Sequence, residues 1–353
     1  KYLLSIERQQ TVKEELYVFL LQKREENELS QTFTAYNTRI ITPPFGPLAP
    51  VAPKKTLILA IAIILALAIP GVIFYVIEVT NTKVRSRVDL ENVIPPFAGE
   101  IPLIDRKKWW QRMLVSRKSR KSEKDVPKPV VAEGKRDIPN EAFRVVRSNI
   151  DFMIGRNGGC AVMMLTSFNP GSGKSFIAYN LGASFALKHK RVLVIDGDLR
   201  HGSISEYAGK QKMGLSNYLT ESTEDWHSLV VHNVGVNNLD IMPIGHRPPN
   251  PAELLDNGRL GRLISDARDE YDVILVDCPP VNIVVDTQIV EEYVDRTIFV
   301  VRAGLLDRSA IPEINELYNE DKFKHMCILL NGTDTTFSSY YQYGNYQSYD
   351  ADE

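Results

Sequence analysis

The longest apolar stretch of the chain runs from residue 56 to residue 77, and its 22 residues carry no charge. A helix needs about 20 such residues to cross the hydrocarbon core of a bilayer. The stretch therefore predicts a transmembrane helix, in which Pro70 and Gly71 allow a kink that membrane helices tolerate. A buried helix of a soluble core is the alternative, although such helices seldom run this long without a polar residue.

Basic residues are concentrated on the C-terminal side of this stretch. Lys54 and Lys55 precede it, whereas residues 83–87 hold three basic side chains and a longer basic run lies between residues 106 and 124. The positive-inside rule then predicts that the C-terminal side is cytoplasmic. The basic run is expected either to lie on anionic lipid headgroups or to be a solvated linker.

Three further segments flank the predicted span. Residues 1–40 combine spaced apolar positions with the charged stretch QKREENEL, which predicts the end of an extracytoplasmic amphipathic helix or coiled coil. Residues 41–55 are rich in proline and predict a stiff extended spacer. Residues 78–137 are charged and rich in proline, so they are predicted to form a basic cytoplasmic linker.

From residue 138 to residue 331 short apolar runs alternate with helical patterns such as KSFIAYNLGASFALK. This alternation is typical of an α/β domain with a mostly parallel sheet flanked by helices. Residues 332–353 are polar and aromatic without periodicity, and they are predicted to be a disordered tail. The predicted strands are CAVMMLTS, RVLVID, LDIMPIG, DVILVD, RTIFVV and MCILLN.

Composition argues against several classes of function. A net charge of -2 gives no sign of a nucleic-acid partner. The three cysteines form no C-x-x-C pair and the six histidines show no ligand spacing, so neither a disulfide framework nor a zinc site is predicted. The chain begins at Lys1 without an initiator Met, and we expect it to be a piece of a longer protein.

A glycine-rich segment, FNPGSGKSF, lies between the first predicted strand and a helical pattern. This is the context in which a nucleotide-binding P-loop is expected, with Lys174 reaching the outer phosphates of ATP and Ser175 binding Mg2+. The general pattern has an earlier glycine where this chain has Phe168, so a plain glycine turn remains an alternative. The predicted nucleotide-binding residues are Gly171, Ser172, Gly173, Lys174, Ser175 and Phe176.

Carboxylates follow two of the predicted strands. Asp196 and Asp198 come at the end of one strand and Asp277 at the end of another, at the sheet edge where α/β proteins bind ligands. Asp277 and Asp196, together with Ser175, are predicted to hold the metal ion. With Lys174, the three carboxylates are the predicted catalytic residues, although a lone Asp after a strand is often a helix cap.

These motifs resemble those of the bacterial tyrosine kinases, or BY-kinases, of the Wzc-like polysaccharide co-polymerase type. FNPGSGKS is similar to their Walker A motif, VLVIDGDLR to their Walker A′ motif and VILVDCPP to their Walker B motif. The resemblance covers nearly the whole chain, although that family's first membrane span and most of its outer domain are absent. It implies an inner-membrane protein with a cytoplasmic kinase domain that takes part in capsule or exopolysaccharide export.

A further match lies in EAFRVVR. Glu141, Arg144 and Arg147 fit the family's E-x-x-R-x-x-R motif, and spacing of three residues places them on one helix face. A solvated pair within the helix is the alternative. The resemblance implies that this face contacts a neighbouring subunit in a ring-like homo-oligomer, for which an octamer is one expected size.

The tail contains five tyrosines within ten residues, which the resemblance identifies as an autophosphorylation cluster. We expect a tail hydroxyl to attack the γ-phosphorus of ATP, with Asp196 as the first choice of carboxylate to orient or deprotonate it. A tyrosine phosphatase is then an expected partner. The clustered tyrosines are Tyr340, Tyr341, Tyr343, Tyr346 and Tyr349.

Two other functions are compatible with the same motifs. A ParA- or MinD-like switch ATPase shares the sheet and the P-loop, but such proteins usually carry an additional lysine early in the loop, and none lies between Ser167 and Gly173. The chain could also act chiefly as a structural regulator of polysaccharide chain length. That role and kinase activity can coexist.

Overall fold

A computed structural model describes residues 2–33, 53–104, 129–134, 137–155, 159–209, 211–281 and 286–334, together with Gly46. The chain divides into two compact units, Lys1–Val79 and Thr80–Glu353. The tail tyrosines and the basic run between residues 106 and 124 lie outside the described residues.

The first unit contains two long helices. Helix α1 spans Tyr2–Phe33 and helix α2 spans Lys55–Val79. Helix α2 has the length and the apolar composition of a membrane span, includes Pro70, and has no buried residue. The apolar residues of α1 are spread around its axis, so the predicted helix is present but its expected amphipathic face is not.

The second unit is built on a seven-stranded sheet with the order β1-β7-β6-β2-β5-β3-β4. Each strand pair in the described part of this sheet is parallel. The sequence predicted six of these strands. The seven are β1 Phe97–Pro102, β2 Ala161–Thr166, β3 Val192–Asp196, β4 Leu239–Met242, β5 Val273–Asp277, β6 Arg296–Arg302 and β7 Cys327–Thr333.

Helices cover both faces of the sheet, and two buried apolar clusters fill the space between helices and strands. The central strands β2, β3 and β5 are buried along their whole length, which is why they are continuous apolar runs in the sequence. The helices are α3 Ile138–Ile154, α4 Lys174–Ala186, α5 Leu215–Leu219, α6 Pro251–Leu255, α7 Arg259–Glu270, α8 Asp286–Glu291 and α9 Ile311–Asn319.

The sheet has one more edge strand than the sequence predicted. Residues 97–102, which the sequence assigned to the linker, form strand β1, and β1 pairs in parallel with β7. The prediction of a linker over 78–137 is therefore wrong for these residues, and the predicted domain start at residue 138 is too late. Strand β7 also extends to Thr333, two residues beyond the predicted end of the domain.

The segment after helix α2 is likewise part of the second unit. The Val84 amide donates to the Leu306 carbonyl and the Val84 carbonyl accepts from the Gly304 amide, at 2.9 and 2.7 Å. An ion pair of 2.8 Å joins Arg308 to Asp89. Residues just C-terminal to the apolar helix are therefore hydrogen-bonded to the loop that follows β6.

We expect Ile101→Ala to destabilise the second unit by about 2–5 kcal/mol, because Ile101 of β1 is completely buried and the substitution leaves a cavity. Val88→Ala is the matched control, since Val88 is 68% exposed and its truncation should change the free energy of unfolding by less than about 0.5 kcal/mol. Urea unfolding of the full chain in detergent measures both. Equal, small effects would mean that residues 97–102 are a linker after all.

Candidate nucleotide and metal site

The glycine-rich segment forms a loop between β2 and helix α4. Gly171 and Gly173 have φ angles of 76° and 89°, a left-handed conformation that favours glycine. The Ser172 hydroxyl donates to the Asn169 carbonyl at 2.7 Å and so closes the turn. Lys174 begins α4, and its ammonium group lies 3.3 Å from the Ser167 hydroxyl. The loop therefore presents its amides and Lys174 at the N-terminus of a helix, where phosphate groups bind.

Asn331 supports this loop from β7, and the sequence analysis did not single it out. Its side-chain amide donates to the Ser172 carbonyl at 2.8 Å. A Cβ atom at position 173 would collide with the Asn331 Nδ2 atom, so packing as well as φ favours glycine there. The sequence signal that could have identified Asn331 is its position as a polar residue at the end of an apolar strand.

Phe168 occupies the position at which the general P-loop pattern has glycine. Its side chain is buried, and its ring packs edge-to-face against Phe299 of β6 at a centroid distance of 5.5 Å. The larger residue is therefore accommodated in the core under the loop and leaves the two later glycines to make the turn.

Strands β3 and β5 place two carboxyl groups side by side. Asp196 and Asp277 are partners in the register of these neighbouring strands, and both side chains are buried. The Asp277 Oδ2 atom accepts a hydrogen bond of 2.5 Å from the Ser175 hydroxyl. The Asp196 Oδ2 atom accepts from the backbone amide and the hydroxyl of Ser205, at 2.8 and 2.7 Å.

The second oxygen of each carboxyl group has no hydrogen-bond partner within the described structure. Burial and the neighbouring Asp277 raise the pKa of Asp196 to about 8, and burial raises the pKa of Asp277 to about 7. Leaving buried polar atoms unpaired costs about 1–3 kcal/mol each. Two free carboxylate oxygens beside a serine hydroxyl are the hard donors that Mg2+ prefers, so the residues present fit this ion.

Asp198 lies nearer to solvent than the other two carboxylates. Its side chain accepts hydrogen bonds from the backbone amides of Arg200 and His201 at 3.2 and 3.1 Å. Both Asp198 and Asp277 favour the charged form of Lys174, whereas burial, the larger effect, lowers the pKa of this lysine. Arg200 in turn pairs with buried Asp286 at 3.0 Å, which anchors the loop after β3.

Helix α3 holds the three residues of the E-x-x-R-x-x-R motif, but they do not share one environment. Glu141 and Arg144 form an ion pair of 3.4 Å at the surface. Arg147 instead donates to the carbonyl and the hydroxyl of Ser184 on α4, at 2.8 and 3.2 Å. Arg147 therefore fastens α3 to the helix that starts at the P-loop.

Together the parallel sheet, the loop and the carboxylates define a P-loop nucleotide-binding domain. Two family models match the chain: the "G-rich domain on putative tyrosine kinase" over residues 1–78 and the "AAA domain" over residues 161–303. The second unit resembles the solved kinase domain of Escherichia coli tyrosine kinase ETK, with a TM-score of 0.61 and 27% identity over 72% of this chain and 97% of that chain. The BceF tyrosine kinase domain gives a TM-score of 0.58 at 27% identity and covers 71% and 99%.

Sequence relatives agree with the structural match. The tyrosine-protein kinase wzc of Salmonella typhi is 31% identical over 339 residues, which are 95% of this chain and 46% of that protein. The tyrosine-protein kinase etk of Escherichia coli strain K12 is 29% identical over 93% of this chain and 45% of that protein. The chain is thus similar to the Wzc-like bacterial tyrosine kinases over most of its length, and it spans about half the length of these relatives.

The raised carboxyl pKa values make stability depend on pH. Asp196 binds its proton more tightly in the folded than in the unfolded chain, so without Mg2+ the free energy of unfolding should fall as pH rises from about 4 to 8. Asp196→Asn should remove much of this slope and should be about 1–3 kcal/mol more stable than the unmodified chain at pH 9. Asp269→Asn, at an exposed carboxylate of α7, is the control. Parallel pH profiles for all three proteins, measured by urea unfolding, would contradict the assignment.

Proposed function

We propose that this chain carries the catalytic domain of an ATP- and Mg2+-dependent protein-tyrosine kinase that phosphorylates tyrosines of its own C-terminal tail. The observation that carries the proposal is the pair of buried carboxyl groups, Asp196 and Asp277, with unpaired oxygens next to the P-loop lysine and serine. Similarity to relatives that are named tyrosine-protein kinases supports the same activity.

Each part of the site has a role in this proposal. The loop amides and Lys174 hold the phosphates of ATP, and the start of α4 adds its positive helix end. Ser175, Asp277 and Asp196 would hold Mg2+. When bound, the ion neutralises charge on the phosphate oxygens during transfer. The backbone amides that would bind the phosphates are those of Gly171, Ser172, Gly173, Lys174, Ser175 and Phe176.

The proton of the attacking tyrosine needs an acceptor, because the ordinary pKa of its hydroxyl is near 10. Asp196 was the first choice from sequence, but its side chain is fully buried and one oxygen is bound to Ser205. Asp198 is 7% exposed and its carboxylate is fixed by two backbone amides. The geometry favours a metal-holding role for Asp196 and a proton-accepting role for Asp198.

We propose that phosphate is transferred from the ATP of one subunit to a tail tyrosine of its neighbour. If fully extended, the segment from Asp334 to Tyr349 would reach about 50 Å at roughly 3.3 Å per residue, which is enough for the site of a neighbour. Within a ring-like homo-oligomer, Glu141 and Arg144 are the members of the α3 motif that remain at the surface to contact that neighbour.

We propose that the assembly lies in the bacterial inner membrane, with α2 as the span and the kinase domain in the cytoplasm. The polysaccharide export machinery is its proposed partner. A tyrosine phosphatase would reverse the modification.

The activity is tested by incubating the dephosphorylated full chain in detergent with ATP and Mg2+ and mapping phosphotyrosine by mass spectrometry. We expect phosphate on the tail tyrosines, and none in Lys174→Met, because the ammonium group is needed to hold the outer phosphates. Asp198→Asn should abolish transfer and leave ADP affinity within about threefold, whereas Asp277→Asn should also weaken the dependence of ADP binding on Mg2+.

Asp269→Asn controls for loss of a carboxylate elsewhere and should transfer phosphate normally. A chain that binds and hydrolyses ATP but never forms phosphotyrosine would contradict the kinase proposal and favour a switch ATPase. Full kinase activity in Asp198→Asn would contradict the assignment of Asp198 as proton acceptor, and it would leave the rest of the proposal unchanged.

Phosphorylation of the tail should loosen the oligomer. Each phosphate adds a charge of roughly -1.5 to -2, so a modified cluster of tyrosines crowds like charges near the neighbouring subunit. We expect the phosphorylated chain to have a smaller mass by light scattering than the same chain treated with phosphatase. A chain with the five tail tyrosines changed to Phe is the control and should not respond to ATP; equal masses for both forms of the unmodified sequence would contradict the expectation.

A further inference from the structure

Arg302 ends strand β6 and lies beside the P-loop. Its Nη1 atom is 4.0 Å from the position that a Cβ atom would take at Gly173. Arg302 is the register partner of Asn331, whose amide group supports the loop through Ser172. Gly332 makes room for the guanidinium group, since a Cβ atom there would lie 2.7 Å from Arg302 Cζ. The charge is therefore held close to the phosphate-binding turn.

No carboxylate neutralises this guanidinium group among the described residues. It is half-buried, and it forms neither an ion pair nor a side-chain hydrogen bond in the described part of the chain. Burial alone lowers the pKa of Arg302, with no charged group acting on it. By contrast, Arg200 and Arg308, on the loops after β3 and β6, each have an aspartate partner. A half-buried cation without a counter-ion indicates that an anion binds there.

The order of the strands defines the direction in which a bound nucleotide must run. Strand β2, which leads into the P-loop, lies between β5 on one side and β6 on the other. The carboxyl groups of Asp196 and Asp277 lie on the β5 and β3 side, whereas Arg302 and Asn331 lie on the β6 and β7 side. The reacting end of the nucleotide belongs with the carboxylates and the metal, so its remaining phosphates extend toward Arg302.

We propose that Arg302 is a nucleotide-binding residue that pairs with the phosphate nearest the ribose, at the end of the P-loop opposite the metal-holding carboxylates. The planar guanidinium group suits this role because it can donate two hydrogen bonds to one phosphate. The inference rests on the proposed use of a nucleotide, and it adds a binding residue that does not belong to the glycine-rich motif.

The test is ADP binding by calorimetry, with Mg2+, to the full chain in detergent. Arg302→Gln should weaken ADP binding about tenfold to a hundredfold and should reduce its dependence on salt, because a charged contact is lost. Arg302→Lys should recover part of the affinity. Arg308→Gln, which removes a guanidinium group paired with Asp89, is the matched control and should bind ADP like the unmodified chain.

Two glycine variants test the position of the guanidinium group without removing its charge. Gly332→Ala adds a methyl group that collides with Arg302, at a φ of 79°. Gly304→Ala introduces the same backbone strain at a φ of 76° but points into open space. We expect only Gly332→Ala to weaken ADP binding, at matched thermal stability of the two variants.

The outcomes separate this inference from the proposed kinase activity. Unchanged ADP affinity in a folded Arg302→Gln variant overturns the inference even if the chain forms phosphotyrosine. A changed preference between ADP and GDP with an unchanged salt dependence would mean that Arg302 contacts the base, and would overturn the phosphate assignment. Weaker ADP binding in a chain that never transfers phosphate would support Arg302 and contradict the kinase proposal alone.

Discussion

Two carboxyl groups buried side by side at the ends of β3 and β5 set the main physical constraint on this domain. Asp196 and Asp277 are buried register partners, and the charge of Asp277 opposes the ionisation of Asp196. Hydrogen bonds from Ser205 and Ser175 satisfy only one oxygen of each group. A parallel sheet that carries such a pair is less stable at neutral pH without a cation than it would be with neutral residues. We interpret this cost as the consequence of a site built for a divalent ion.

The surroundings of the pair link it to the P-loop and to the helices that flank the loop. Ser175 lies in the first turn of helix α4 and donates to Asp277, so a metal ion held by these two residues would be tied to the start of the helix. On the other side, Asn331 fixes the turn through the Ser172 carbonyl. Arg147 holds α3 against α4, so the helix with the surface pair Glu141 and Arg144 is attached to the helix of the P-loop. This attachment would connect the proposed subunit contact to the proposed nucleotide site.

Much of the fold could be predicted from the sequence because buried parallel strands are continuous apolar runs. Six such runs predicted strands β2 to β7. Because ligands bind at the carboxyl ends of parallel strands, the P-loop and the carboxylates were also predicted to lie together. Strand β1 was missed because FAGEIP contains Gly99 and Pro102 and follows two prolines, a composition typical of loops. An edge strand tolerates such residues because one side of it makes no ladder hydrogen bonds.

The parts of the site that sequence reasoning missed are those created by contacts distant in the chain. Asn331 and Arg302 belong to no local motif, and their closeness to Gly173 arises only when β6 and β7 pair beside β2. Arg147 fits the helical spacing of its motif, yet its hydrogen bonds to Ser184 come from the packing of two helices. Periodicity specifies which face of an element is buried, and it does not specify which polar atoms meet there.

The most direct test of the metal site is anomalous diffraction from crystals of the chain grown with ADP and Mn2+ in place of Mg2+. Our interpretation of the buried pair predicts one strong anomalous peak bound to the Ser175 hydroxyl and near the free oxygens of Asp277 and Asp196. A structure with ADP in the loop and no peak between these three residues would contradict the claim that their burial serves a divalent ion.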